Sequence, residues 1–200
     1  MSADPLPHVP VEVAGRSLRA VDLDDARVLG RITEEVRSGL PVYYDRRWRL
    51  TEAFCRFLLE RPGLVEGRRV LVAGAGIGLE AVVVGLLAGQ VVVNDRSFAA
   101  LELAAEQLRL NGVEEFAVAC GSFAEVELQE IDAVVACFVV YDAETRAAAA
   151  RLLDRASERG IPALLANEEI GGHFEALLEA ASGPVEELAL LGRGRVVRVG

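Results

Sequence analysis

The sequence predicts an α/β fold in which a mostly parallel sheet of seven strands is covered by helices on both faces. Short apolar runs alternate with helical segments, and continuous apolar strands of this kind are typical of a buried parallel sheet. The last two strands flank Gly192-Arg193-Gly194, which predicts a C-terminal antiparallel hairpin. The predicted strands are 70–73, 91–93, 116–119, 131–140, 161–166, 187–191 and 195–199.

Helices are predicted between these strands by the spacing of apolar residues and by residues that favour helix ends. Thr51 is a suitable N-cap for an amphipathic helix over 52–60. Ser97 is suitable for a helix over 98–110, which Asn111-Gly112 ends. The other helices are expected at 79–88, 143–159 and 173–181.

Residues 1–40 are predicted to form an N-terminal extension, and residues 41–200 a single α/β domain. In the extension, two apolar runs flank Ala14-Gly15-Arg16, which predicts a hairpin. A short helix is expected over 24–38, where Gly39-Leu40-Pro41 breaks the pattern.

Composition predicts a cytoplasmic protein. Although the mean hydropathy is +0.30, the most apolar stretch, 70–93, is interrupted by glycines and polar residues, so we expect no membrane partner. The N-terminus has acidic residues and prolines rather than a basic segment before an apolar run, so no signal peptide is expected. Cys55, Cys120 and Cys137 lie in apolar neighbourhoods without metal-ligand spacing and are interpreted as reduced core thiols.

The charge pattern argues against general binding of nucleic acid. The formal net charge is −10 and every one of the 21 basic residues is arginine. A chain this acidic repels phosphate backbones, so we expect no nucleic-acid partner. We interpret Arg46, Arg47 and Arg49 as solvated charge. The two histidines, His8 and His173, lie in unrelated contexts, so neither a histidine-based triad nor a metal site is expected.

A glycine-rich loop is the sharpest functional signal in the chain. Gly74-Ala75-Gly76-Ile77-Gly78 lies between a predicted strand and a predicted helix. Alternate glycines permit a tight turn and let a ligand approach the main chain, and the following helix start favours an electron-rich group. Dinucleotide-binding loops use G-x-G-x-x-G, so this G-x-G-x-G spacing favours S-adenosylmethionine over NAD.

Asp95 adds a second element to this signal. The strand after the loop ends in Asn94-Asp95, and a carboxylate there can accept hydrogen bonds from both ribose hydroxyls of either cofactor. The loop and Asp95 together predict an adenosine-containing ligand. The structural alternative is that the glycines serve only helix–strand packing and that Asp95 caps a helix.

From Pro41 to about Asp142, the sequence resembles the class I lysine methyltransferases of the electron-transfer-flavoprotein beta-subunit type. It also resembles their bacterial relatives, some of which are labelled nicotinamide N-methyltransferase-like. Besides the loop, the matching residues are Trp48, Pro62 fourteen positions on, 58–65, 67–71, Asn94-Asp95, 99–101, Asn111-Gly112 and Tyr141-Asp142.

This resemblance implies a Rossmann-like class I methyltransferase domain over 41–200, with S-adenosylmethionine as cofactor. It further implies methylation of a protein lysine or another nitrogen acceptor, so the expected partner is a protein or a small molecule. Tyr141 and Asp142 are the candidate catalytic residues. The candidate cofactor-binding residues are Trp48, Gly74, Ala75, Gly76, Gly78, Asn94, Asp95 and Ser122.

Three positions lack an acid that the resemblance implies. Val72 stands where an acid helps to hold the methionine amino group, Ser122 where one binds the adenine amino group, and Phe138 where one lies near the acceptor. A charge-assisted hydrogen bond contributes about 1.5–3 kcal/mol, so losing two would weaken cofactor binding substantially. Glu80 and Asn94 are the candidates for compensation.

Methyl transfer from a sulfonium is a direct displacement, for which the protein aligns the reacting atoms and keeps the acceptor nitrogen neutral. Tyr141 is expected to stack on the acceptor or to hydrogen-bond to it. Asp142, Asn167, Glu168 and Glu169 lie near predicted strand ends and are candidates for the acceptor pocket. The structural alternatives are a core tyrosine, helix caps and solvated carboxylates, and for Trp48 an anchor of the first domain helix.

Three functions are compatible with the sequence. The first is an active S-adenosylmethionine-dependent methyltransferase. The second is a methyltransferase-like protein with a degenerate site that binds a ligand or partner without catalysis, as the three missing acids indicate. The third is an NAD-type oxidoreductase, against which the glycine spacing counts. The sequence identifies neither the acceptor nor the oligomeric state.

Overall fold

The computed structural model describes residues 6–39, 42–44 and 48–200. Its strands are β1 (His8–Val13), β2 (Arg16–Val21), β3 (Arg69–Ala73), β4 (Gln90–Asp95), β5 (Phe116–Cys120), β6 (Ala133–Cys137), β7 (Ala163–Glu168), β8 (Val185–Leu191) and β9 (Gly194–Val199). Its helices are α1 (Ala26–Arg37), α2 (Arg49–Glu60), α3 (Leu79–Leu87), α4 (Phe98–Leu110), α5 (Ala143–Ser157) and α6 (His173–Glu179), with a short 3₁₀ turn at Pro62–Leu64.

Seven strands form one sheet in the order β5-β4-β3-β6-β7-β9-β8. The strands β5, β4, β3, β6 and β7 are parallel to one another, and β9 is antiparallel to both β7 and β8. This confirms the predicted mostly parallel sheet and its C-terminal antiparallel hairpin. From β3 the chain moves outward to β4 and β5, and it then returns to β6 on the other side, so the strand order reverses between β3 and β6.

Both faces of the sheet are buried, because successive strand residues point to opposite sides. Val70 and Val72 of β3 belong to the core cluster that contains α2, α3 and α4 side chains. Leu71 and Ala73 belong to the cluster that contains α5 and α6 side chains. All four side chains are fully buried, which confirms the helix layers expected on both faces.

The N-terminal elements pack against α4. Strands β1 and β2 form the expected hairpin, and α1 is the expected helix, capped by Asp25. The Gln107 side chain accepts from the Val21 N–H (2.9 Å) and donates to the Ile77 carbonyl (2.8 Å), so it joins β2 to the glycine loop. The division at residues 40 and 41 stays a prediction, since both lie outside the described residues.

Two predicted boundaries differ from the structure by three residues, and the others by less. Helix α2 begins at Arg49 with Trp48 at the N-cap position, not after Thr51, because burial of Leu50 extends the helix upstream. The strand predicted over 131–140 is confined to Ala133–Cys137, because Phe138 has a φ of +57°, outside the range of a strand.

One further expectation on the cysteines is corrected. Cys55 and Cys137 are buried, as expected, whereas Cys120 is exposed. Cys120 ends β5, which is an edge strand of the sheet and therefore has a neighbour on one side only.

The apolar stretch 70–93 folds into β3, the glycine loop, α3 and the start of β4. Across the described ranges, no helix has the combination of length and apolarity that crossing a bilayer requires.

Candidate functional site

A cavity of about 410 Å³ lies at the carboxyl ends of β3, β4 and β6, where the strand order reverses. Ligands of open α/β sheets bind at this position, and small-molecule pockets have volumes of roughly 300–1,000 Å³. Much of the wall is aromatic, and the aromatic residues are Tyr43, Tyr44, Trp48, Phe123, Phe138 and Tyr141.

The glycine loop forms the part of the wall that follows β3. Gly74, Gly76 and Gly78 all have positive φ, at 64°, 54° and 76°. A Cβ on Gly74 would lie 2.7 Å from the Val139 side chain, and one on Gly78 would lie 2.9 Å from Ala104. The glycines are therefore required by backbone conformation and by packing, in addition to any role towards a ligand.

Asp95 fixes this loop to the end of β4. Its Oδ2 accepts from the Gly76 N–H (2.8 Å) and its Oδ1 from the Ser97 N–H (2.9 Å). Burial raises the pKa of the carboxyl, and the two backbone donors oppose that shift. Each oxygen has acceptor capacity beyond these bonds, and Asp95 belongs to the cavity wall, so two ligand hydroxyls could be accepted here.

Asn94 and Ser122 have different positions relative to the cavity. Asn94 Nδ2 donates to the carbonyls of Ala119 (2.8 Å) and Gly121 (3.0 Å), so this buried side chain joins β4 to the end of β5. It is not part of the cavity wall, whereas Ser122 is. The predicted cofactor-binding residues Trp48, Ala75 and Asp95 also belong to the wall, together with the three glycines.

Glu80, the second residue of α3, is the buried acid of the cavity wall. Its side chain is 4% exposed, and burial raises its pKa to about 8, with a further contribution from the charge of Asp95. Val72, in contrast, points into the core cluster beneath α2, α3 and α4. Besides Asp95, the buried acid beside the loop is thus on helix α3 and not on strand β3.

The segment after β6 forms another part of the wall and has an unusual backbone. Phe138 has a positive φ and its ring stacks on Trp48, with centroids 4.7 Å apart. Asn167 fixes this segment, since its Oδ1 accepts from the Val140 N–H (3.0 Å) and its Nδ2 donates to the Val140 carbonyl (2.8 Å). Asn167 therefore supports the wall without being part of it.

The two predicted catalytic residues are adjacent in sequence but differ in placement. Tyr141 lies in the wall, 4.6 Å from the Tyr43 ring, and burial raises its pKa to about 12, so its hydroxyl stays protonated. Asp142 is outside the wall and caps α5, where it accepts from the Thr145 N–H at 2.7 Å. That hydrogen bond lowers the pKa of Asp142. The placement favours the structural alternative for Asp142.

Sequence reasoning did not identify a polar cluster around Glu35. Glu35 of α1 is buried, accepts from Ser97 Oγ (2.6 Å) and also accepts from the Tyr44 hydroxyl. Ser97 and Tyr44 both line the cavity, and Tyr44 lies against Gly76. Glu35 and Ser97 are 62 positions apart, so no local pattern indicates the cluster.

Neither a protein-family model nor a curated protein matches this sequence. Solved structures do match the fold. Precorrin-6y C5,15-methyltransferase from Geobacter metallireducens has a TM-score of 0.59 at 13% identity, covering 74% of this chain and 88% of that one. Ribosomal protein L11 methylase from Lactobacillus delbrueckii has a TM-score of 0.59 at 20% identity, covering 78% of this chain and 79% of that one. An RNA methyltransferase from Salinibacter ruber, in complex with S-adenosyl-L-homocysteine, has a TM-score of 0.55 at 16% identity, covering 73% of this chain and 88% of that one.

The chain has a Rossmann-like methyltransferase fold. Within this fold the cavity occupies the crevice between β3 and β6. The glycine loop, which connects β3 to α3, lies beside it. Identities of 13–20% establish the fold and leave the acceptor open. They also leave the narrower resemblance to the electron-transfer-flavoprotein beta-subunit type as a prediction.

Proposed function

We propose that this protein is an S-adenosylmethionine-dependent methyltransferase. The observation that carries the proposal is the cavity at the strand-order reversal, with a G-x-G-x-G loop held in place by the Asp95 carboxylate. The solved structures of the same fold support it, since they are methyltransferases and include a complex with S-adenosyl-L-homocysteine.

The residues present fit the cofactor. The glycine loop belongs to the cavity wall, and a Cβ on Gly76 would lie 3.2 Å from the side chain of Tyr44, another wall residue. Asp95 would receive the ribose hydroxyls, and Ser122 and Phe123 would face the adenine. When bound, the cofactor supplies an electrophilic methyl group on a sulfonium. Residues of this chain exclude water through the aromatic wall and orient the two reacting groups.

The acceptor is proposed to be a nitrogen of a protein side chain or of a small molecule, as the family resemblance implies. Tyr141 would position it: the hydroxyl, which stays protonated, would accept a hydrogen bond from an N–H of the acceptor through its oxygen and leave the nitrogen lone pair free for the methyl carbon. Net charge alone does not exclude RNA as the acceptor, because one of the solved structures with this fold is an RNA methyltransferase. A cytoplasmic location likewise stays a prediction from the sequence.

The degenerate-site alternative rests on one specific observation. Phe138 stands in the wall where the resemblance implies an acid, and it stacks on Trp48. Neither ring can accept a proton, so the acceptor nitrogen receives no help from a base at this position. On this alternative the protein binds the cofactor without transferring its methyl group.

Titration calorimetry with S-adenosylmethionine, S-adenosylhomocysteine and NAD tests the proposed ligand. We expect both sulfur compounds to bind and NAD to give no heat, and we expect Asp95→Ala to abolish binding. The absence of heat with either sulfur compound at millimolar concentration would overturn the proposal. Selective binding of NAD would instead support the oxidoreductase alternative.

A further inference from the structure

Glu80 is a buried acid for which the described part of the chain supplies no cationic partner. Only 4% of its surface is exposed, and it belongs to the cavity wall. Within the described ranges, its carboxyl receives a hydrogen bond only from its own backbone N–H, and no arginine pairs with it. Burying a carboxylate in this way is costly unless a cation or several donors compensate.

The surroundings of Glu80 do not supply that compensation. Asp95 of β4 adds a like charge, and the thiols of Cys55 on α2 and Cys137 on β6 are close enough to interact electrostatically with it. Glu52 of α2 is a further acid near Cys55. The charge of Asp95 disfavours the Glu80 carboxylate, and the neighbouring thiols carry no charge that could pair with it, so among the described residues the compensation is missing and a cation in the cavity could supply it.

The position of Glu80 matches one end of the proposed cofactor. Asp95 marks the ribose, and Glu80 is near both Asp95 and Cys137, the last residue of β6. With the adenine at Ser122 and the ribose at Asp95, as proposed above, the methionine portion, which is attached to the other side of the ribose, would extend away from Ser122 towards β6. The methionine portion of S-adenosylmethionine carries an ammonium group, which is the kind of partner that the carboxyl lacks.

The two other candidates for this partner are excluded by their placement. Val72 is apolar and its side chain lies in the core cluster beneath the helices. Asn94 uses its amide to bind the backbone of β5 and Gly121, and it is not part of the cavity wall. Glu80 is the acid that combines burial with access to the ligand.

We propose that Glu80 binds the α-ammonium group of the methionine portion of S-adenosylmethionine. This inference rests on the proposed function. It means that the acid which holds this group has moved from strand β3 to the first turn of α3. It also means that Glu80 ionises on binding: the carboxyl loses a proton to the buffer, and the resulting carboxylate pairs with the ligand ammonium.

Calorimetry with two matched ligands tests this assignment. The first is S-adenosylhomocysteine, and the second is its analogue in which hydrogen replaces the amino group. We expect Glu80→Gln to weaken binding of the first by about 10-fold or more, as loss of a charge-assisted hydrogen bond implies, and to change binding of the second less than twofold. Glu114→Gln, at an exposed position remote from the wall, is the matched control.

Proton release from the wild-type protein gives a readout that does not depend on any variant. At pH 7, titrations in buffers of different ionisation enthalpy should show close to one more proton released with S-adenosylhomocysteine than with its desamino analogue. Equal proton release, or equal weakening of both ligands by Glu80→Gln, would overturn the assignment while leaving the proposed function intact. If the wild-type protein bound neither ligand, the proposed function itself would be overturned.

Discussion

The burial of Glu80 makes a quantitative prediction about stability. The pKa of this carboxyl is about 8 in the folded protein and 4.5 when it is unperturbed. Between these values, the folded state holds a proton that the unfolded state has lost, so stability falls as pH rises. The contribution of this group is fully present below pH 4.5 and is lost as pH rises through about 8.

The magnitude follows from the size of this shift. Each pKa unit corresponds to about 1.4 kcal/mol, so the free energy of unfolding should decrease by about 5 kcal/mol across this window on account of Glu80. Glu80→Gln has nearly the same shape and carries no titratable group. The free energy of unfolding of the variant minus that of the wild type should therefore increase steadily from pH 4.5 to 8.

Urea unfolding of the ligand-free protein, followed by circular dichroism at several pH values, measures this difference. Glu114→Gln controls for the loss of an acid at an exposed position and should follow the wild-type curve. Parallel curves for Glu80→Gln and wild type across the window would refute the reasoning. They would mean that the Glu80 carboxyl is solvated in the folded protein.

Three further predictions concern the supports of the site. Gly78→Ala should lower the free energy of unfolding by about 2–4 kcal/mol, because it adds left-handed strain and overpacking. Gly112→Ala, with nearly the same φ and open space around it, should lower it by only about 1–2 kcal/mol. Urea titrations measure both values. Asn167→Ala should cost about 1–3 kcal/mol by unfolding, because it leaves both polar groups of Val140 unpaired; an unchanged melting temperature would contradict this. Asp142→Ala should lower the free energy of unfolding by about 0.5–2 kcal/mol, because a helix cap is lost. A loss of cofactor-binding free energy greater than this, measured by calorimetry, would show that Asp142 belongs to the site.

The sequence predicts the fold well because its signals are local. The runs around Val70 and Val91 are apolar on both sides, which is characteristic of parallel strands covered by two helix layers. Ser97 caps α4 as expected, since its Oγ accepts from the Ala100 N–H at 2.9 Å. The glycine spacing likewise requires only neighbouring residues, and it falls between β3 and α3 as predicted.

The errors lie where tertiary contacts override local preference. Thr51 is a good capping residue, but Leu50 packs against Gly194 of β9, so the helix begins one turn earlier. Val139 and Val140 are as apolar as a strand, yet Phe138 turns the chain out of the sheet and Asn167 holds the turn from β7. These contacts join residues that are distant in sequence, so local spacing does not predict them.

Much of the cavity wall could be anticipated from motifs, but its polar supports could not. The loop and Asp95 form one side of the cavity, while their binding of a cofactor stays a prediction. Glu35 reaches the site only because α1 folds back beside Ser97, and this depends on how the N-terminal hairpin packs on α4. The role of an acid at position 80 likewise depends on its burial, which composition does not reveal.

Transfer of a labelled methyl group tests the central proposal most directly. The purified protein is incubated with S-adenosylmethionine labelled in its methyl group and an extract of protein, RNA and small molecules, which are then separated. We predict label in the protein or small-molecule fraction, and none when Asp95→Ala replaces the wild type. Binding of the cofactor without transfer to any fraction would contradict the account and favour the degenerate-site alternative.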